Sequence, residues 1–96
     1  MSAYIIALIE IHDPDVYQKY LDGFNGVFEQ YKGEILVVDD APVVFEGEWP
    51  YTRVVVIRFP DENEAKRWYE SDQYQALAQY RFQAAKTNFI LAKGRK

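Results

Sequence analysis

A chain of 96 residues, 49% hydrophobic and 17% aromatic, holds enough apolar material for one packed core and is too short for two, so residues 1–96 are read as a single domain. It has no cysteine, which excludes a disulfide framework, a thiolate nucleophile and Cys-ligated zinc or iron-sulfur sites. The net charge of -4 is uneven: all fifteen acids and six bases lie in residues 1–80, five bases and no acid in 81–96, and a body this acidic repels phosphate backbones, so no nucleic-acid partner is expected.

The opening MSAYIIALIEIHD has no basic leader, and Glu10 interrupts its apolar run well short of the roughly 20 residues that cross a bilayer. A cytoplasmic protein with no membrane partner is the expectation. Residues 4–11 (YIIALIEI) are apolar on both alternating faces and read as a buried strand. Asp13 can then cap a helix that Pro14 opens, since proline needs no N–H there. Val16, Tyr17, Tyr20, Leu21, Phe24, Val27, Phe28 and Tyr31 follow in steps of three and four, the stripe of an amphipathic helix. Gly33 is read as its left-handed terminator. A second strand over 34–38 leads into Asp39, Asp40, Ala41 and Pro42, a turn-like cluster that begins an elaborated hairpin connection. Residues 53–59 (RVVVIRF) make the third strand, stopped by Pro60. Asp61 starts a helix that pauses at Ser71 and Asp72 and resumes under a new cap, with Tyr74, Leu77, Ala78, Arg81 and Ala85 on one face. Residues 87–92 (TNFILA) form the last strand.

The order strand, helix, strand, twice over is a ferredoxin-like βαββαβ plan of the α+β class, a four-stranded antiparallel sheet with two helices on one face. Its other face meets water unless something covers it. Neither side of the strands is polar enough to be solvated: the first offers Ile5, Ala7, Ile9 and Ile11 against Tyr4, Ile6, Leu8 and Glu10, the third Val55, Ile57 and Phe59 against Val54, Val56 and Arg58. At about 25 cal/mol for each Å² left wet, a second copy is the economical cover. A homodimer is expected, its two sheets face to face in a dimeric α+β barrel.

Asp13-Pro14 followed by Tyr17 and Tyr20, EGEWP at 46–50, RVVVIRFPDENEAKRWYESDQYQAL at 53–77, and Arg81 with Ala84 and Ala85 together resemble the bacterial family catalogued as domain of unknown function 1330. The similarity runs over nearly the whole chain. It implies the dimeric α+β barrel superfamily, which includes cofactor-free monooxygenases, isomerases, haem-degrading enzymes and non-catalytic ligand-binding regulators, and so implies architecture more than activity. The chain departs from the pattern after the first helix, where Glu34 stands in place of an arginine, and after the second strand, where Asp39 and Asp40 replace a glycine pair.

Candidate site residues fall into two groups. His12, the only histidine, and Glu10 are the candidates for moving a proton; the alternative for His12 is an ordinary place in a capping region. One histidine with Glu10, Asp13 and Asp15, which alternation sends to different sides, does not assemble three metal ligands, and no glycine-rich phosphate loop is present, so neither metal nor cofactor is expected. Arg53, Arg58 and Arg81 rise from apolar surroundings where a guanidinium is costly unless paired, either with carboxylates such as Glu10, Glu46 or Glu48 or with an anionic ligand. Trp49, with Glu48 beside it, offers a flat surface for stacking a small aromatic molecule or for packing an interface. The expected function is binding or transforming a small aromatic or oxo-acid metabolite in a homodimer; the alternative is a non-catalytic ligand-binding or assembly homodimer.

Overall fold

The computed structural model describes residues 1–95. Strand β1 (Ala3–Ile11) runs into α1 (Pro14–Phe28), followed by β2 (Glu34–Asp39), β3 (Arg53–Phe59), α2 (Glu62–Tyr69), α3 (Asp72–Ala84) and β4 (Ala85–Lys93). The four strands are antiparallel in the order β2-β3-β1-β4, an α+β arrangement with three helices rather than the expected two. The second helix divides because the Ser71 hydroxyl accepts the Tyr74 N–H at 3.1 Å, opening α3 afresh, and donates to the Trp68 carbonyl at 2.8 Å, closing α2. The other two N-caps follow from sequence: Asp13 accepts the Val16 N–H at 3.2 Å with Pro14 at the first turn, and Asp61 accepts the Glu64 N–H at 2.8 Å.

Alternation along β1 decides the layers. Ala3, Ile5, Ala7 and Ile9 are buried beneath the helices, while Tyr4, Ile6 and Leu8 point the other way. Register carries this across the sheet: Ile6 lies opposite Val56 and Ile90, Leu8 opposite Val54 and Asn88, so the face without helices is lined by branched aliphatics at its centre. Beneath the helices Trp68 is wholly enclosed, with the rings of Phe24, Phe28, Phe59, Tyr74 and Phe89 all within 6.3 Å of it, centroid to centroid.

Three boundaries differ from the periodicity. Helix α1 ends at Phe28 although Tyr31 keeps the step; Tyr31 still packs against the core from beyond the helix, under the Arg67 guanidinium at 4.5 Å. Gly33 has no positive φ and is not a left-handed cap. It is glycine because a Cβ there would lie 2.5 Å from the Phe28 ring and 2.9 Å from that of Phe59. Strand β4 begins two residues early, at Ala85, directly from the helix; the Ala84 carbonyl accepts both the His12 and Asp13 N–H groups, at 2.8 and 3.0 Å, tying the end of α3 to the β1–α1 corner.

Candidate functional site

Edge strand β2 is exposed at all six residues because α1 stops short of covering it. The gap between α1 and the β2–β3 side of the sheet is a cavity of about 300 Å³. Its floor is sheet: Ala7 and Ile9 of β1, Val55 and Ile57 of β3, Ile35 and Val38 of β2. Its roof is the α1 face carrying Tyr17, Tyr20, Leu21 and Phe24, and Trp68 and Phe89 also line it. Such a size and lining suit a small planar molecule, with polar groups few enough to orient it.

Arg53 is the charged residue in that lining. The first residue of β3, it faces the helices opposite Ile9, and its Nε and Nη2 donate to the two carboxylate oxygens of Asp40 at 2.5 and 3.1 Å. Hydrogen bonding to Arg53 holds the Asp40 carboxyl below its usual range and, in return, pushes Arg53 upward. Asp40 is largely exposed and does not line the cavity, so the pair is a replaceable, water-facing one. The guanidinium also lies 5.6 Å from the Tyr17 ring centre. Burial raises the Tyr17 phenol and Arg53 partly offsets it.

Arg81 stands behind the cavity wall. It is 2% exposed, its Nε and Nη2 have no hydrogen-bond partner, and among the described residues no carboxylate pairs with it. Three rings take the place of a counter-ion, Phe89 at 4.7 Å, Phe82 at 4.9 Å and Tyr20 at 5.7 Å. Burial works against its charge, but Tyr74 and Tyr20 outweigh that and displace its pKa upward, so the group is a permanent cation. Beside it the Tyr20 and Tyr74 hydroxyls share a 2.6 Å hydrogen bond. Burial raises both phenols; Arg81 opposes the rise for Tyr74, and the pairing itself adds to the rise for Tyr20.

The other sequence candidates lie elsewhere. Glu10 is on the uncovered face opposite Lys86, and His12 is exposed at the β1–α1 corner. Arg58 is also on the uncovered face, opposite Tyr4 and 4.0 Å from Glu34. Glu48 is exposed in the β2–β3 connection; Trp49 stacks edge-on against Tyr51, whose hydroxyl accepts the Asn88 amide at 2.8 Å. None of these lines the cavity or a second, shallower groove of about 330 Å³ along β4 and α2. The structure therefore brings Arg53 and Arg81 to one region and separates them from His12, Glu10, Arg58, Glu48 and Trp49. The carboxylate partner of Arg53 is Asp40, not Glu10, Glu46 or Glu48. Sequence reasoning missed the Tyr20–Tyr74 pair, because both tyrosines sit in helical stripes that packing alone explains. Among the described residues no group of three His, Asp, Glu or Cys side chains is arranged to hold a metal ion, and no helix is long and apolar enough to cross a membrane.

A family model described as domain of unknown function (DUF1330) matches residues 2–95. Among solved structures, a protein of unknown function from Rhodopseudomonas palustris superposes with a TM-score of 0.80 at 16% identity, over 99% of this chain and 83% of that one. A dimeric ferredoxin-like protein of unknown function from Jannaschia sp. CCS1 gives 0.78 at 9% identity, over 98% and 100%. SnoaB, a cofactor-independent oxygenase from Streptomyces nogalater, gives 0.71 at 9% identity, over 99% and 94%. At these identities the likeness is one of fold, ferredoxin-like in each case where the fold is described. No curated protein matches the chain significantly.

Proposed function

Given that the chain belongs to the DUF1330 family, we propose that it is a homodimeric small-molecule protein that holds a planar aromatic or oxo-acid metabolite in the cavity beneath α1. The observation that carries this reading is Arg53: the one charged side chain in a mostly apolar lining, its only ion pair among the described residues made with an exposed carboxylate that an incoming acid can displace. Arg81 adds a second positive charge behind the same wall. The reading leaves His12 and Glu10 outside the cavity. The cofactor-independent oxygenase among the similar folds supports chemistry on a small molecule as one use of such a cavity.

The test is a thermal-shift and calorimetric panel of small aromatic acids, with benzoate and 4-hydroxybenzoate as first probes. Arg53→Ala is expected to weaken carboxylate binding about 10–100-fold, the worth of one charge-assisted hydrogen bond of roughly 1.5–3 kcal/mol. Asp40→Asn at neutral pH removes the competitor and is expected to tighten binding several-fold. Equal affinities in the parent and both variants would end the clamp. Acidification is the poorer probe. The Asp40 pKa is depressed on folding, so its contribution is present above the unfolded pKa and lost as pH falls through the folded one. In that same window a ligand carboxylate also loses its charge.

The homodimer rests on the uncovered sheet face, where Tyr4, Ile6, Leu8, Val54 and Val56 are only part-buried and Ile90 is 55% exposed. A largely apolar face of this kind suits burial against a second copy, and the Jannaschia sp. CCS1 protein of like fold is dimeric. Ile90→Lys is expected to convert two-chain particles to single chains in size-exclusion with light scattering at micromolar concentration, with the far-UV spectrum unchanged. A parent protein that elutes as one chain up to high concentration would overturn the dimer and leave the cavity reading standing.

A further inference from the structure

The inner end of the cavity carries an unused hydrogen-bond donor whose direction can be deduced. Tyr20 lines the cavity and Tyr74 does not; Tyr74 is wholly buried, its hydroxyl lies 2.6 Å from that of Tyr20, and the Arg81 guanidinium beside it can only donate. Only one proton can lie between the two oxygens. If Tyr20 donates, the Tyr74 proton is stranded in the core, at the cost of an unsatisfied buried donor. If Tyr74 donates, both phenols are better served, and the Tyr20 proton is left for whatever occupies the cavity. The Arg81 charge beside Tyr74 makes its O–H more acidic and so the better donor to Tyr20, and through the shared bond strengthens Tyr20 as a donor in its turn. Trp68 also lines the cavity, and its fully buried Nε1–H has no partner.

We propose that this inner end is a subsite for a ligand oxygen, a phenol, enol or conjugated carbonyl, with the Tyr20 hydroxyl as its donor, Tyr74 and Arg81 as positioning residues, and Trp68 Nε1 as an auxiliary donor. The inference rests on the cavity reading above and narrows it. With Arg53 in the same lining, the preferred ligand is a planar ring bearing both an acid group and a hydroxyl or oxo group. Preorganised donors aimed at such an oxygen stabilise it most when it carries negative charge, so the subsite favours the phenolate or enolate form. The ionisable or charged groups around it are Tyr17 from α1, Arg53 from β3, Tyr69 from α2, and Tyr74 and Arg81 from α3.

The experiment uses 4-nitrophenol, whose phenolate is visible by its absorbance, bound to the full chain and titrated by pH. Tyr20→Phe, Tyr74→Phe and Arg81→Met are each expected to raise the apparent pKa of the bound probe by about one unit relative to the parent. Benzoate, which lacks the second oxygen, is expected to bind the parent and Tyr74→Phe equally, which also certifies that this variant keeps its cavity. In the parent, 4-hydroxybenzoate is expected to bind at least 10-fold more tightly than benzoate. A bound probe that ionises at the same pH in the parent and all three variants would overturn the subsite while leaving the Arg53 clamp intact. Failure of both 4-nitrophenol and benzoate to bind the parent would remove the cavity reading and the subsite with it.

Discussion

Trp68→Ala is expected to remove about 3–5 kcal/mol of folding free energy, the cost of deleting a large aromatic side chain from a core that cannot collapse around the hole. The site gives reason to place it in the upper part of that range. Trp68 has no exposed surface and its ring meets those of Phe24 and Phe28 from α1, Phe59 from β3, Tyr74 from α3 and Phe89 from β4, so one side chain joins five elements. For a domain of this length total stability is about 5–15 kcal/mol, and such a loss lowers the melting temperature by at least about 12 °C. Urea unfolding followed by circular dichroism measures it. A loss below about 1 kcal/mol would mean that the aromatic cluster is not the centre of the core. Trp68→Phe separates the two roles of the residue, since it keeps most of the ring packing and removes the unpartnered N–H.

Arg81→Met is expected to leave the ligand-free protein as stable as the parent or about 1–3 kcal/mol more stable, although it removes a buried charge that touches three rings. Two effects oppose each other. Each cation–ring contact contributes about 0.5–2 kcal/mol, whereas holding a guanidinium out of water with Nε and Nη2 unpartnered costs several kcal/mol, and apolar replacements of buried ions of similar volume are often neutral or stabilising. Methionine is flexible enough to fill the space. Arg81→Ala is the contrast: it leaves a void against α1 and is expected to lose about 2–4 kcal/mol. If methionine also destabilises by more than about 1 kcal/mol, the aromatic cage fully satisfies the cation, and Arg81 is a structural strut with nothing held in reserve for a ligand.

Much of the fold was legible because alternation and helical spacing are local. Strand β3 falls on Arg53–Phe59 as its run of branched residues implies, and Ser71 announces the break between α2 and α3. The failures are tertiary. Tyr31 keeps the helical step only because the core reaches for an aromatic beyond the helix end, and Gly33 answers to the rings of Phe28 and Phe59 rather than to a backbone angle. The site divides in the same way. Arg53 and Arg81 stand out in sequence as cations in apolar company. Asp40 does not stand out as the partner of Arg53, since the twelve residues between them fold back through a connection of no regular pattern. The Tyr20–Tyr74 bond joins residues 54 apart, and nothing short of the packed α1–α3 contact brings them together.

The bare margin along β2 has a practical meaning of its own. Ile35, Leu36, Val37 and Val38 form an adhesive rim with free main-chain groups, continued by the almost wholly exposed Phe45. That edge is a ready template for strand-by-strand growth. High concentration and surface contact are therefore the conditions under which solutions of this protein cloud.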